Sequence, residues 1–218
     1  MNDIEKQEAV EKLNPILSIW FHPKKTTRYI LQHKGLFFVI LLMSLGYIGN
    51  VFAGLIDTEL YPMMPGWLIV LLVFLLSPIF GLISNTIYAF GIWIVGKLFK
   101  GIATYKESFV AASLPMWPYA MMIPFYIYWI FADPYSLFYE DKIPSIFLII
   151  IMVLLLLACV IWSIIINISS IAEVHQFSNW RAFFTILILS IITFIIVFAI
   201  VFIIGLIFFA FALTFGFV

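Results

Sequence analysis

The residues best equipped for chemistry stand together in the stretch 169–183, SSIAEVHQFSNWRAF, where Glu173, His175, Ser178 and Arg181 bring a carboxylate, an imidazole, a hydroxyl and a guanidinium within nine positions. Such a set suggests hydrolysis or metal binding. A zinc hydrolase takes three protein ligands, usually from a motif such as H-E-x-x-H. The chain holds three histidines, His22, His33 and His175, with two of them near its start. A serine hydrolase presents its nucleophile on a G-x-S-x-G elbow, and the sequence contains none. Ser178 reads instead as the N-cap of the helix that follows. Glu173 closes one apolar run and Arg181 opens the next, so Glu173, His175 and Arg181 read as a clasp across a helical hairpin. The expectation is a non-enzymatic protein with no catalytic, metal or cofactor site.

The elements around this stretch belong to a membrane. Of 218 residues, 65% are hydrophobic and 10% charged, against about a quarter charged in an ordinary soluble domain. Cys159 is the single cysteine, which rules out an intrachain disulfide and a thiolate metal cage. The start, MNDIEKQEAVEKLN, has mixed charge and no apolar signal region, so it is expected to remain on the mature protein. Equal numbers of acidic and basic residues, eleven each, give no argument for a nucleic-acid partner.

A spanning helix needs about 20 mainly apolar residues, and five runs qualify: 36–56, 67–99, 107–131, 144–172 and 181–218. The expected fold is all-α, a five-transmembrane-helix bundle over 36–218 with an N-terminal interfacial amphipathic arm over 1–35. Ten basic residues fall on one side of that topology: Lys6, Lys12, Lys24, Lys25, Arg28, Lys34, Lys97, Lys100, Lys106 and Arg181. The opposite loops carry Asp57, Glu59, Asp133, Glu140 and Asp141 with only Lys142. The positive-inside rule then makes the N-terminus cytoplasmic and the C-terminus extracytoplasmic. The arm is too short for a core of its own. With Trp20 and its apolar neighbours beside Lys24, Lys25 and Arg28, it is expected to lie on the membrane against anionic headgroups, or to receive a cytoplasmic partner.

Two runs exceed one perpendicular crossing. The second would make about 50 Å of helix against a core of about 30 Å, and Pro78 is placed to kink it. The fifth reads as one span whose last third is an apolar extension, lying in the interface or packed on a partner.

Buried ionisable residues mark proton relays and ion paths, and the span interiors contain none. Small residues do recur at contact spacing: Gly46, Asn50 and Gly54 in the first span, with Gly49 and Ala53 beside them, and Ser77, Gly81, Asn85 and Ala89 in the second. They read as close helix packing with amide bridging, or as a partner surface. Pro115, Pro118 and Pro124 break the third span, and the freed carbonyls need burial or a cleft.

Three stretches together resemble the Yip family of five-span proteins: SIWFHPKKTTRYI before the first span (Trp20, Pro23, Thr26, Arg28), FKGIATYKESFVAASLP entering the third (Gly101, Tyr105, Lys106, Pro115), and IAEVHQFSNWRAF before the fifth (Glu173, His175, Ser178, Arg181, Ala182). The resemblance implies a non-enzymatic bundle with a cytoplasmic N-terminus. Eukaryotic members bind Rab-type GTPases and shape secretory membranes, through a cytoplasmic domain longer than this arm. Some bacterial members are associated with ABC-type exporters that protect against peptide toxins, and the compact loops favour a bacterial plasma membrane. The expected function is accordingly that of an accessory or assembly partner of another membrane complex, with an ABC-type exporter first in line. The alternative is a carrier or binding protein for a lipid or apolar peptide, using the broken third span as its cleft. Membrane lipids are expected partners in either case, and a homo-oligomer is left open.

Overall fold

The computed structural model describes residues 13–142 and 144–215. Its helices, in chain order, are α1 (Pro15–Phe21), α2 (Pro23–His33), α3 (Leu36–Ala53), α4 (Gly66–Leu98), α5 (Tyr105–Ser113), a 3-10 segment η1 (Leu114–Met122), α6 (Ile123–Ala132), α7 (Pro134–Phe138), α8 (Ile146–His175) and α9 (Asn179–Phe215). Five stretches are long and apolar enough to cross a membrane: α3, α4, the composite α5–η1–α6, α8, and α9 over Asn179–Phe209. The protein is an all-α membrane bundle. Lys6 and Lys12 of the basic side lie outside the described residues.

The third span is the structural centre. Proline has no N–H to give to the carbonyl four residues back, so Pro115 and Pro118 prevent an α-helix from continuing past Ser113. The chain tightens into nine residues of 3-10 helix, a long run for a geometry seldom kept beyond three or four residues. Neighbours hold it there. The backbone of η1 lies so close to α3 that a Cβ on Gly46 would overlap the Met116 carbonyl and one on Gly49 the Tyr119 carbonyl. From the other side Cys159 of α8 donates its thiol hydrogen to the Pro118 carbonyl at 3.2 Å, supplying a partner for a group in the broken segment.

That packing corrects the register expected for the first span. The face in contact is Gly46 and Gly49, three residues apart. Asn50 is exposed, and Gly54 caps α3 with only the Val51 carbonyl near its hydrogen positions. In α4 the register is the expected one: Ser77, Gly81, Asn85 and Ala89 are all buried, Gly81 lies against the Tyr47 ring, and Asn85 Nδ2 donates to Ser113 Oγ at 2.9 Å. Pro78 sits inside α4, which stays helical on both sides of it.

The two ends of the bundle are built differently. At the acidic end, the α3–α4 loop is tied to α7: Asp57 N donates to the Leu137 carbonyl at 3.0 Å and Glu59 N to that of Phe138 at 2.9 Å. Trp129 Nε1 donates to Ser136 Oγ at 2.9 Å beneath this brace. At the basic end, α2, α5 and the last turns of α8 bury one another, with Ile171, Ala172, Val174 and Ala182 packed on Ala89, Ile92 and Ala111.

Candidate functional site

Three features at the basic end decide what the chain can do: the arm, the hairpin between α8 and α9, and α9 itself. Asn14 caps α1 through its side chain, which accepts from Ile16 N at 3.0 Å, and Pro15 and Pro23 take the first-turn positions where no donor is needed. The two short helices turn at His22 and are joined by Thr26 Oγ1 donating to Ser18 Oγ at 2.9 Å.

This arm packs into the bundle. Ile19 and Ile30 are buried with Val39, Leu42, Val110, Leu114 and Ile166. Three polar contacts then run up α8: Trp162 Nε1 donates to the Trp20 carbonyl at 2.9 Å, Thr27 Oγ1 and Ser170 Oγ share a hydrogen bond at 2.9 Å, and Arg28 Nε donates to Glu173 Oε1 at 2.7 Å. The arm therefore packs one face into the bundle, which the interleaving of apolar and basic residues did not reveal. Its hydroxyl-bearing face, Thr26 and Thr27, is fully buried, while Leu17, Phe21 and Lys25 stay exposed and Lys24 half-buried on the other face.

The clasp is also corrected. Glu173 is buried and its ion-pair partner is Arg28 of the arm, whereas Arg181 is exposed at the start of α9. His175 joins neither. Its ring fills the space between Gly96 and Gly101, where a Cβ on either glycine would overlap it, and stacks on Phe177 at 5.1 Å. Both ring nitrogens are buried and find no hydrogen-bond partner among the described residues. The chain folds round this side chain, for Gly101 N donates to the Gly96 carbonyl at 2.9 Å and Ile102 N to the His175 carbonyl at 3.3 Å. Gln176 ends α8 in the left-handed conformation at φ 55°. The Ser178 carbonyl accepts from Ala182 N at 3.2 Å as α9 begins.

A cleft of about 730 Å³ opens beside the ion pair, between Arg28 and Gln32 of α2, Thr104 and Glu107 at the start of α5, and Glu173 of α8 with Gln176 just past its end. Glu107 is spent locally: its side chain accepts from Thr104 N at 2.7 Å while Thr104 Oγ1 accepts from Glu107 N, a capping box. No group of three or more His, Cys, Asp or Glu side chains that could hold a metal occurs among the described residues. Glu173 is committed to the ion pair with Arg28 and His175 is sealed between two glycines. This geometry joins elements.

Of the proline positions, Pro115 and Pro118 are buried under α3 and α8, and Pro124 is exposed where α6 restarts. Residues that sequence reasoning passed over are Thr27, Ser170, Trp162, Ser113 and Gly96, while Gly101 entered only through the family resemblance. For Gly96 and Gly101 the signal was the pairing of two glycines around a tight span-to-span connection. For Thr27 and Ser170 it was a hydroxyl on each of two helices otherwise read only for apolar residues and charge.

The last feature is α9. Over 179–189 it touches α8 and α4, with Ala182 and Thr185 fully buried and Leu189 against Gly91. From 190 to 209 every side chain described is exposed. In that stretch Phe194, Phe198 and Phe202 stack in succession at 6.3 Å. The apolar surplus therefore begins well before the last third of the helix, and α9 runs without a break from Asn179 to Phe215.

The Yip1 domain family model matches residues 17–201. No curated protein matches the chain, and no solved structure does.

Proposed function

The chain belongs to the Yip1 domain family, and we propose that it is a non-enzymatic accessory subunit that assembles with another membrane complex through α9. The observation that carries this reading is the largely apolar surface of α9 over 190–209, where every side chain is exposed and no other described element of the chain covers it. Helices in lipid gain from each other by close packing rather than by a hydrophobic drive, and a ridge of stacked phenylalanines offers a deep relief for such packing. The bundle's own small-residue faces are already occupied: Gly46 and Gly49 by η1, Gly81 by Tyr47. Assembly therefore falls to α9. The exposed Arg181 at its start would fix orientation at the basic end, which the positive-inside rule makes cytoplasmic.

An ABC-type exporter active in protection against peptide toxins is the partner class that the resemblance favours, in a bacterial plasma membrane. The experiment is gentle extraction from the native cell into nanodiscs, followed by mass spectrometry of what co-purifies in stoichiometric amount. Exporter subunits held by the full chain and lost on deletion of 205–218, or on Phe198→Ala with Phe202→Ala, support the reading. Recovery of the chain alone from native membrane, or partners retained by both variants, overturns it.

A further inference from the structure

The end of the third span creates a second site, independent of α9. While η1 runs along α8, held by Cys159 on the Pro118 carbonyl, α6 restarts at Pro124 and draws away from it. The separation leaves a groove of about 600 Å³ at the acidic end, between one face of α6 (Phe125, Tyr128, Trp129) with Asp133 just past its end and the start of α8 (Phe147, Leu148). Its volume is in the range of small-molecule sites. Along α8 the wall is apolar and continues into exposed Ile150, Val153 and Leu154. At the other extreme it meets the Asp133 carboxylate.

Three observations select the occupant. First, Phe125, Tyr128, Trp129 and Phe147 stand in the walls, and the face of an aromatic ring attracts an ammonium group, more strongly when water is excluded. Trp129 is buried with its N–H engaged by Ser136, so it backs the groove without offering a donor, and Tyr128 is the exposed ring. Second, the charge is acidic: Asp133 is exposed at the groove, and the loops of this end add Asp57, Glu59, Glu140 and Asp141 against Lys142 alone. An anionic headgroup would be repelled. Third, the groove opens sideways onto helix surface that faces acyl chains, so a ligand held there carries an apolar tail. We propose that this groove binds the headgroup of an amine-bearing zwitterionic phospholipid, with the ammonium on Asp133 and the exposed ring of Tyr128, and the acyl chains along α8.

The test uses the purified full chain and native mass spectrometry, titrating phosphatidylethanolamine and phosphatidylglycerol of matched acyl chains. The expected result is about fivefold greater retention of phosphatidylethanolamine, the factor that one cation–π contact of about 1 kcal/mol supplies. Asp133→Asn should lower that preference. Asn keeps the side-chain oxygen that accepts from Ser136 N at 3.4 Å, so α7 keeps its cap. Tyr128→Leu, at an exposed position with no capping role, should lower the preference as well. Equal retention of the two lipids by the wild-type chain, or an unchanged preference in both variants, overturns the proposal. Displacement of the bound lipid by free ethanolamine at equal concentration would overturn the assignment to a lipid.

Discussion

Arg28 Nε and Glu173 Oε1 lie 2.7 Å apart, and through them an arm that precedes the first span is fastened to the end of the fourth. The pair is asymmetric, for the Arg28 side chain is 62% exposed and that of Glu173 only 9%. Water therefore screens the attraction on one side, while loss of the arginine leaves a buried carboxylate without its partner. Arg28→Ala is expected to cost about 1–3 kcal/mol, and to speed hydrogen exchange in 15–33 of the protein held in nanodiscs. Glu173→Gln should recover part of that loss in the double variant, because the uncompensated charge is gone. Strict additivity of the two changes would show that the residues do not interact.

Gly46 lies inside α3 and Gly54 caps it, and the two should respond unequally. A Cβ at Gly46 meets the Met116 backbone, which cannot rotate aside, whereas at Gly54 only one carbonyl is near. Gly46→Ala is expected to lower stability by about 1–3 kcal/mol, the usual cost of overpacking. Gly54→Ala should stay within about 0.5 kcal/mol. Unfolding in detergent, followed by tryptophan fluorescence, separates the two; equal shifts would contradict the packing described for η1.

His175 offers a third measurement. Its ring is buried with neither nitrogen hydrogen-bonded among the described residues, and an apolar group of similar shape in such a place is near neutral or stabilising. His175→Leu is expected to unfold within about 1 kcal/mol of the wild type. Gly96→Ala, which drives a methyl into the same ring, should cost about 1–3 kcal/mol. A large loss in His175→Leu would show that the imidazole has a polar duty.

The membrane bundle and its five apolar runs were legible in the sequence because hydropathy over about 20 residues is a strong signal. So was the register of Ser77, Gly81, Asn85 and Ala89, where the four-residue spacing coincides with one buried face. The same spacing misled at Gly46, Asn50 and Gly54. Both i+3 and i+4 neighbours share a helix face, and which pair makes the contact depends on where η1 crosses. The partner of Glu173 was out of reach for a related reason. Arg181 is close in sequence and Arg28 is 145 positions away, so local spacing favoured the wrong cation. The route of α9 away from the bundle was unreadable as well, since its composition is uniform from end to end.

The wrapping of 96–102 around His175 makes the two ends of the protein unequal places for foreign sequence. On the basic side the connection between the second and third spans is stitched to Gly96 and to the His175 carbonyl, and Ala103 is fully buried, so an epitope spliced there would have to tear out a side chain from the interior. On the acidic side Glu140, Asp141 and Lys142 are exposed between two helices. A reporter carried at that position leaves the bundle's hydrogen bonds in place, and it gives sidedness experiments a site where loss of signal reports topology rather than unfolding.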